Sequence, residues 1–107
     1  MPHYLLEVAY TSQGWAALVK SPQDRIEAVR PAVEKLGGKI ESGYLTFGDY
    51  DLIAIVNMPD NVSAAAFSIA ASAGGAVKAI KTTPLMTMEE GMEAMRKAAA
   101  AGYRPPG

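Results

Sequence analysis

The sequence contains no cysteine and only one histidine, His3, among its 107 residues. The absence of cysteine excludes disulfides, thiol catalysis and thiolate metal ligands. Because most zinc sites need several nitrogen or sulfur ligands, one histidine does not complete such a site within a single chain. We therefore expect neither a metal nor a cofactor. A metal shared across a dimer by His3 and carboxylates such as Glu7 is the alternative.

The sequence also lacks an excess of charge and a long apolar run. Ten Lys and Arg residues stand against eleven Asp and Glu residues, and no basic block of the kind that binds nucleic acid is present. The longest apolar stretch, residues 64–77, is interrupted by serines and glycines and is too short to span a bilayer. The N-terminus has no pattern of a secretory signal. These features predict a cytoplasmic protein with neither nucleic acid nor membrane as a partner.

Four segments have the composition of β-strands, being short, apolar and rich in β-branched or aromatic residues. Gly48 and Asp49 provide turn chemistry between the second and third of them, which predicts a hairpin. Pro84 is expected to break the chain after the fourth. The predicted strands are residues 4–10, 39–46, 52–56 and 76–83.

Helix signals lie between these strands and after the last of them. Ser21-Pro22 is typical of a helix start, Asp60-Asn61 of a second, and Thr87 to Glu90 has the pattern of a capping box for a last helix. Residues 12–19 predict a further short turn of helix around Trp15. Each of the three longer helices has an apolar stripe at helical spacing. The predicted stripes are Ile26, Val29, Val33 and Leu36, then Val62, Ala66, Ile69 and Ala73, then Met88, Met92, Met95 and Ala99.

The element order βαββαβ plus a C-terminal helix predicts an α+β fold of the ferredoxin-like kind, with a four-stranded antiparallel sheet in the order 4-1-3-2. We expect one domain over residues 1–101 and a flexible tail over residues 102–107. The third strand is apolar on both sides, with Ile53 and Ile55 opposite to Leu52, Ala54 and Val56. Since the helices cover one face of such a sheet, this pattern predicts a homodimer through the open sheet face.

The segment from Tyr44 to Asp51 carries more polar and aromatic groups than a turn requires. Tyr50 and Asp51 form a candidate pair for orienting a ligand or for acid–base chemistry, and Tyr44 and Tyr10 are candidates for lining a pocket. The competing interpretation is that Asp49 or Asp51 only bonds the backbone of the turn. The predicted ligand-binding residues are Tyr10, Thr11, Tyr44, Asp49, Tyr50 and Asp51.

The chain resembles the GYD domain family. The resemblance extends from about residue 2 to residue 97. It is carried by Tyr10-Thr11 with Gly14, by Leu36-Gly37-Gly38, by Tyr44 and Phe47 to Asp51, by Pro59 to Asn61, and by Thr82-Thr83 with Leu85. Here an extra residue, Asp49, stands between the glycine and the tyrosine of the Gly-Tyr-Asp signature, and Glu7 occupies a position that is usually apolar. The resemblance implies a dimeric α+β barrel and implies no activity.

These observations favour a small dimeric module that binds a small organic molecule in a pocket near the Tyr44–Asp51 hairpin. One alternative is a cofactor-free isomerase or monooxygenase that works in a cleft beneath the helices. The other is a purely structural interaction protein. A closed apolar pocket would favour the first two classes over the third, and an ionisable group with a shifted pKa inside the pocket would favour an enzyme.

Overall fold

The computed structural model describes all residues from Met1 to Gly107. It contains one antiparallel sheet in the order β2-β3-β1-β4, which is the predicted order read from the other edge. The ferredoxin-like arrangement with an added C-terminal helix is therefore confirmed. The elements are β1 (His3–Tyr10), α1 (Ser12–Lys20), α2 (Arg25–Lys35), β2 (Lys39–Leu45), β3 (Leu52–Asn57), α3 (Asn61–Ala73), β4 (Val77–Leu85) and α4 (Met88–Ala100).

Two of the three predicted helix starts are confirmed, and the third lies further along the chain. The Asp60 side chain accepts a hydrogen bond from the Ser63 N–H at 2.8 Å, and Thr87 and Glu90 form a reciprocal capping box. The helix predicted to begin at Ser21-Pro22 instead begins at Arg25. Asp24 caps it by accepting from the Glu27 N–H at 3.1 Å, since a carboxylate satisfies an N-terminal amide at least as well as a hydroxyl does.

The prediction that the fourth strand ends before Pro84 was wrong. β4 continues through Pro84 to Leu85, and Pro84 lies directly opposite Tyr4 of β1. β4 is an edge strand, so one side of its backbone has no neighbouring strand. A proline whose missing N–H would have pointed to that side removes no bond from the sheet.

Of the two central strands, β3 is apolar on both faces, whereas β1 is apolar on the helix-covered face and carries Glu7 on the other. Leu6 and Val8 of β1 are buried under the helices together with Leu52, Ala54 and Val56 of β3. The opposite face presents Leu5 next to Ile55, and Glu7 next to Ile53, in direct register. These four side chains are only partly covered. The third strand therefore has the two-sided apolar character that the sequence predicts.

Helix α3 has a different buried side from the one predicted. Ala64 and Phe67 are buried, whereas Val62 and Ile69 of the predicted stripe are exposed. No residue of α3 is charged, so apolar side chains occur all around it and hydropathy alone does not select one face. Burial of the large Phe67 ring provides more apolar contact area than burial of Val62 or Ile69, and it determines the rotation of the helix.

Helix α4 extends away from the rest of the domain. None of its residues is buried, and its methionine stripe is exposed. The Cα radius of gyration is 17.0 Å, against about 13 Å for a compact domain of roughly this length. None of the four helices has the length and the apolar content needed to cross a membrane.

Substitutions at two helical glycines test how closely α1 approaches Ala76, the residue before β4. A Cβ atom added to Gly14 would lie 2.7 Å from the carbonyl oxygen of Ala76, whereas one added to Gly91 of α4 would meet nothing within 4 Å. We expect Gly14→Ala to lower the free energy of unfolding by about 1–3 kcal/mol, because backbone has to move.

Gly91→Ala is the matched control, and it should leave stability unchanged or raise helix stability by about 0.5–1 kcal/mol. Urea unfolding monitored by circular dichroism measures both effects. Equal stability of the Gly14→Ala variant and the wild type would contradict the close contact between α1 and Ala76.

Candidate functional site

The main cavity of the protein lies between the helices and the sheet. It has a volume of about 340 Å³, and eighteen of its twenty lining residues are hydrophobic. Its floor is formed mainly by β1 and β3, with contributions from β2 and β4, and its two sides by α2 and α3. Residues from β1, β3, α2 and α3 include Leu6 and Val8, Ala54 and Val56, Val29 and Val33, and Phe67 and Ala71.

The cavity exists because of where the two helices pack. α2 packs mainly on β2 and α3 mainly on β4, which are the outer strands of the sheet. The space above the central strands is left to side chains that reach inward from the two helices. On the α3 side Ala70 and Ala71 have only methyl side chains, and Gly74, which follows the helix, has none. Because small side chains do not fill the gap, an apolar cavity remains.

Tyr10 and Arg25 contribute the polar side-chain atoms of this otherwise apolar lining. Burial raises the pKa of the Tyr10 hydroxyl above its ordinary value of 10.0, while the neighbouring Arg25 guanidinium acts in the opposite direction and Asp51 adds to the rise. Tyr10 is therefore a neutral hydrogen-bonding group at physiological pH. The Arg25 guanidinium donates to the side-chain oxygen of Gln23 at 2.8 Å.

Asp51 joins three elements next to this cavity. Its Oδ2 atom accepts a hydrogen bond from the Tyr10 backbone N–H at 2.9 Å and another from the Trp15 indole N–H at 3.3 Å. The rings of Tyr10 and Trp15 pack edge to face, with centroids 5.5 Å apart. The carboxylate thus fixes the end of β1 and the first turn of α1 to the start of β3. Its partners lie outside its own turn, which differs from a simple turn-closing aspartate.

The hydrogen bonds of Thr11 hold helix α1 in place. Its hydroxyl oxygen accepts from the Gly14 N–H at 3.0 Å and so caps α1. Its backbone N–H donates to the carbonyl of Ala76 at 2.9 Å, at the same place where Gly14 contacts Ala76. Thr11 and Gly14 together hold α1 close to the start of β4.

The remaining residues of the predicted site lie at the hairpin and do not line the cavity. Tyr44 is 67% exposed and lies opposite Ile53 on the open sheet face, Asp49 is exposed, and Tyr50 is half-buried. The turn itself is closed by Thr46, whose N–H donates to the carbonyl of Asp51 and whose hydroxyl donates to that of Tyr50, both at 2.7 Å. Of the six predicted residues, only Tyr10 lines the cavity.

Arg25 is a cavity residue that the sequence reasoning missed. It is the first residue of α2 and lies four positions before Val29, which also lines the cavity. Residues four apart share one face of a helix, so Arg25 extends the apolar stripe of α2 at its N-terminal end. An arginine in register with an apolar stripe is the signal that could have identified it.

Comparison with known proteins agrees with this architecture and adds no activity. The sequence profile of the GYD domain matches residues 4–95, which is most of the chain. The chain belongs to the GYD domain family. No curated protein and no solved structure shows a significant match to it.

The signature region of this GYD domain has a physical role in the structure. Asp51 is the last residue of the segment from Phe47 to Asp51, and its carboxylate holds the backbone of Tyr10 and the ring of Trp15. The signature tyrosine, Tyr50, precedes it in the turn. The segment therefore anchors the corner where the hairpin meets β1 and α1.

Asp51→Asn tests this role. The substitution preserves the shape of the side chain but removes its charge, so the two hydrogen bonds lose their charge assistance. We expect the free energy of unfolding to fall by about 1–3 kcal/mol in chemical denaturation experiments.

Asp49→Asn in the same turn is the control. Asp49 is exposed, and its replacement should change stability by no more than about 0.5 kcal/mol. If the free energy of unfolding of the Asp51→Asn variant equals that of the wild type, the carboxylate is not the anchor described above. A direct role in binding is then the better interpretation.

Proposed function

We propose that this GYD domain binds a small, largely apolar organic molecule in the cavity between its helices and its sheet. The observation that carries the proposal is the cavity itself. A volume of about 340 Å³ falls in the range of small-molecule pockets, which are mostly apolar with a few placed polar groups. Water gains few hydrogen bonds in such a space, so an apolar ligand that displaces it has a favourable binding free energy.

The hairpin contributes to this function by positioning Tyr10, which is a residue of the cavity. The Asp51 carboxylate holds the backbone of Tyr10, and the Tyr10 ring lines the cavity. Tyr44, Asp49 and Tyr50 remain candidates for ligand contact at the hairpin, where a second protein chain or a larger ligand would reach them. The proposed pocket is therefore next to the predicted site and is connected to it through Tyr10.

Binding is favoured over catalysis by the ionisable groups that line the cavity. These groups are Tyr10 and Arg25. Tyr10 has a raised pKa, and an arginine side chain keeps its proton at all ordinary pH values, so neither acts as a general base near neutrality. An isomerase or monooxygenase of the α+β barrel kind would need a proton acceptor from elsewhere.

Replacement of either of two alanines in α3 by phenylalanine tests whether the cavity is the binding site. Ala71 lines it, so Ala71→Phe should fill part of the space and weaken the binding of 1-octanol at least tenfold in titration calorimetry. Ala65, in the same helix, is exposed and is not among the lining residues. Ala65→Phe should bind 1-octanol as the wild type does. Unchanged binding by the Ala71→Phe variant, with its fold intact by circular dichroism, would argue against this cavity as the site.

We also propose that the protein is a homodimer in which two open sheet faces pack against each other, as in a dimeric α+β barrel. The partly covered side chains Leu5, Ile53 and Ile55 form an apolar centre on that face. Glu7 lies in the same region, directly opposite Lys81 of β4, so its charge has an oppositely charged neighbour for burial. An interface of about 1,200–2,000 Å² would be ordinary for such a pair.

Helix α4 provides a second reason to expect a partner chain. Isolated helices of fewer than about 12–15 residues are marginal in water, and α4 has 13 residues with none buried. Its exposed methionines are flexible apolar side chains that adapt to a partner surface. A second copy would give this stripe something to pack against while the two sheets meet.

Ile55→Asp should dissociate the dimer, because it places a charge at the centre of the proposed interface, next to Leu5. Val62→Asp is the control, since Val62 is 79% exposed in the first turn of α3, where a negative charge is favourable. Light scattering at micromolar concentration should give a dimer mass for the wild type and the control, and a monomer mass for Ile55→Asp. A monomeric wild type would refute the proposal.

A further inference from the structure

Arg25 is the one charged side chain among the residues that line the cavity, and no carboxylate of the chain pairs with it. The Arg and Lys ion pairs of the protein are Arg30 with Glu27 and Arg96 with Glu93, and the Nδ1 atom of His3 lies 3.4 Å from Oε1 of Glu41. A cation at the edge of an apolar cavity is less well solvated than one on the open surface. Its electrostatic attraction to an anionic partner is therefore stronger there.

Three carboxylates lie close to Arg25 in sequence or contact its neighbour Tyr10, and each has hydrogen-bond partners of its own. Asp24 accepts from the Glu27 N–H as the cap of α2, and the Glu27 carboxylate binds Arg30 at 2.6 Å. The Asp51 carboxylate holds Tyr10 and Trp15. None of the three forms an ion pair with Arg25, so its guanidinium is available to an anionic ligand.

The partners that Arg25 does have are neutral. Gln23 accepts one of its hydrogen bonds, at 2.8 Å, and the Tyr10 hydroxyl is its neighbour on the cavity side. A guanidinium has five N–H donors in a planar fork, so donors remain for a further acceptor. The fork matches the two oxygens of a carboxylate, and the Tyr10 hydroxyl could add a third hydrogen bond.

We propose that the ligand of this cavity is an organic carboxylate, whose charged head is bound by Arg25 and Tyr10 and whose apolar body lies between α2 and α3. The assignment rests on the proposed function, because it takes the cavity to be the ligand site. A space of about 340 Å³ holds on the order of ten atoms of the size of a water molecule, which indicates a body of medium length.

Octanoate and octanamide make a matched pair of probes for the wild-type protein. They have the same chain and nearly the same head shape, and differ in charge. Titration calorimetry should show octanoate binding at least ten times more tightly than octanamide, because hydrogen bonds to an ionised group are the stronger kind. Equal affinities would overturn the carboxylate assignment and leave the proposed binding function in place. The absence of binding by octanoate, octanamide and 1-octanol would overturn the proposed function itself.

Three arginine variants locate the charge that is responsible. Arg25→Gln should weaken octanoate binding by about ten- to a hundredfold and octanamide binding by less, so that the preference for octanoate is lost. Arg25→Lys should retain part of the preference, since it keeps the charge and loses the fork. Arg30→Gln is the control, because Arg30 lies in the same helix, is paired with Glu27 and does not line the cavity. A preference for octanoate that survives in the Arg25→Gln variant, or that Arg30→Gln removes, would show that Arg25 does not bind the head group.

Discussion

The structure depends on one constraint, which is that two helices have to cover one face of a four-stranded sheet whose central strand β3 is apolar on both sides. α2 and α3 pack over the outer strands, so the middle of the covered face is only partly filled. The opposite face has no helix over it. The cavity and the open sheet face are thus two consequences of the same arrangement, and both lie along β1 and β3. Leu6 and Val8 face the cavity, while Leu5 and Glu7, one residue away, face outward.

The corner built by Asp51 gives the cavity a fixed polar edge. Tyr10 is held at its backbone by the Asp51 carboxylate, its ring packs edge to face on Trp15, and its hydroxyl lies near Arg25. Each of these interactions restricts a different part of the same residue. A polar group held in this way loses little additional freedom when a ligand binds, and such preorganisation favours affinity. The most polar segment of the sequence therefore acts at the cavity indirectly, by holding Tyr10.

Much of the fold could be predicted from the sequence because local signals and topology agreed. The strand runs, the caps at Asp60 and Thr87 and the two-sided third strand are all properties of short segments. The rotation of α3 could not be predicted, because a helix without charges has no polar side to exclude from the core. The passage of β4 through Pro84 is possible because β4 is an edge strand, as the predicted order 4-1-3-2 already implied, although the proline by itself favours a break.

The candidate site was harder to predict than the fold, for a related reason. A concentration of tyrosines and aspartates marks a place where side chains interact, but it does not indicate whether their partners are ligands or the protein itself. Asp51 interacts with β1 and α1, far away in sequence. Arg25 carries no local signal other than its register with the apolar stripe of α2. Its significance depends on the assembled structure, in which it lines an apolar cavity and forms no ion pair.

The cavity and the open face affect folding stability through the same two strands. A ligand in the cavity would add apolar contacts to Leu6, Val8, Ala54 and Val56, and a second sheet would cover the side chains between them in sequence. Any partner that binds the folded state alone stabilises it by mass action, and a ligand at a hundred times its Kd contributes about 2.7 kcal/mol. That amount is a large fraction of the stability of a small domain. Ligand binding and dimerisation would each reinforce the β1–β3 pair, so the stability of this domain should rise with both ligand and protein concentration.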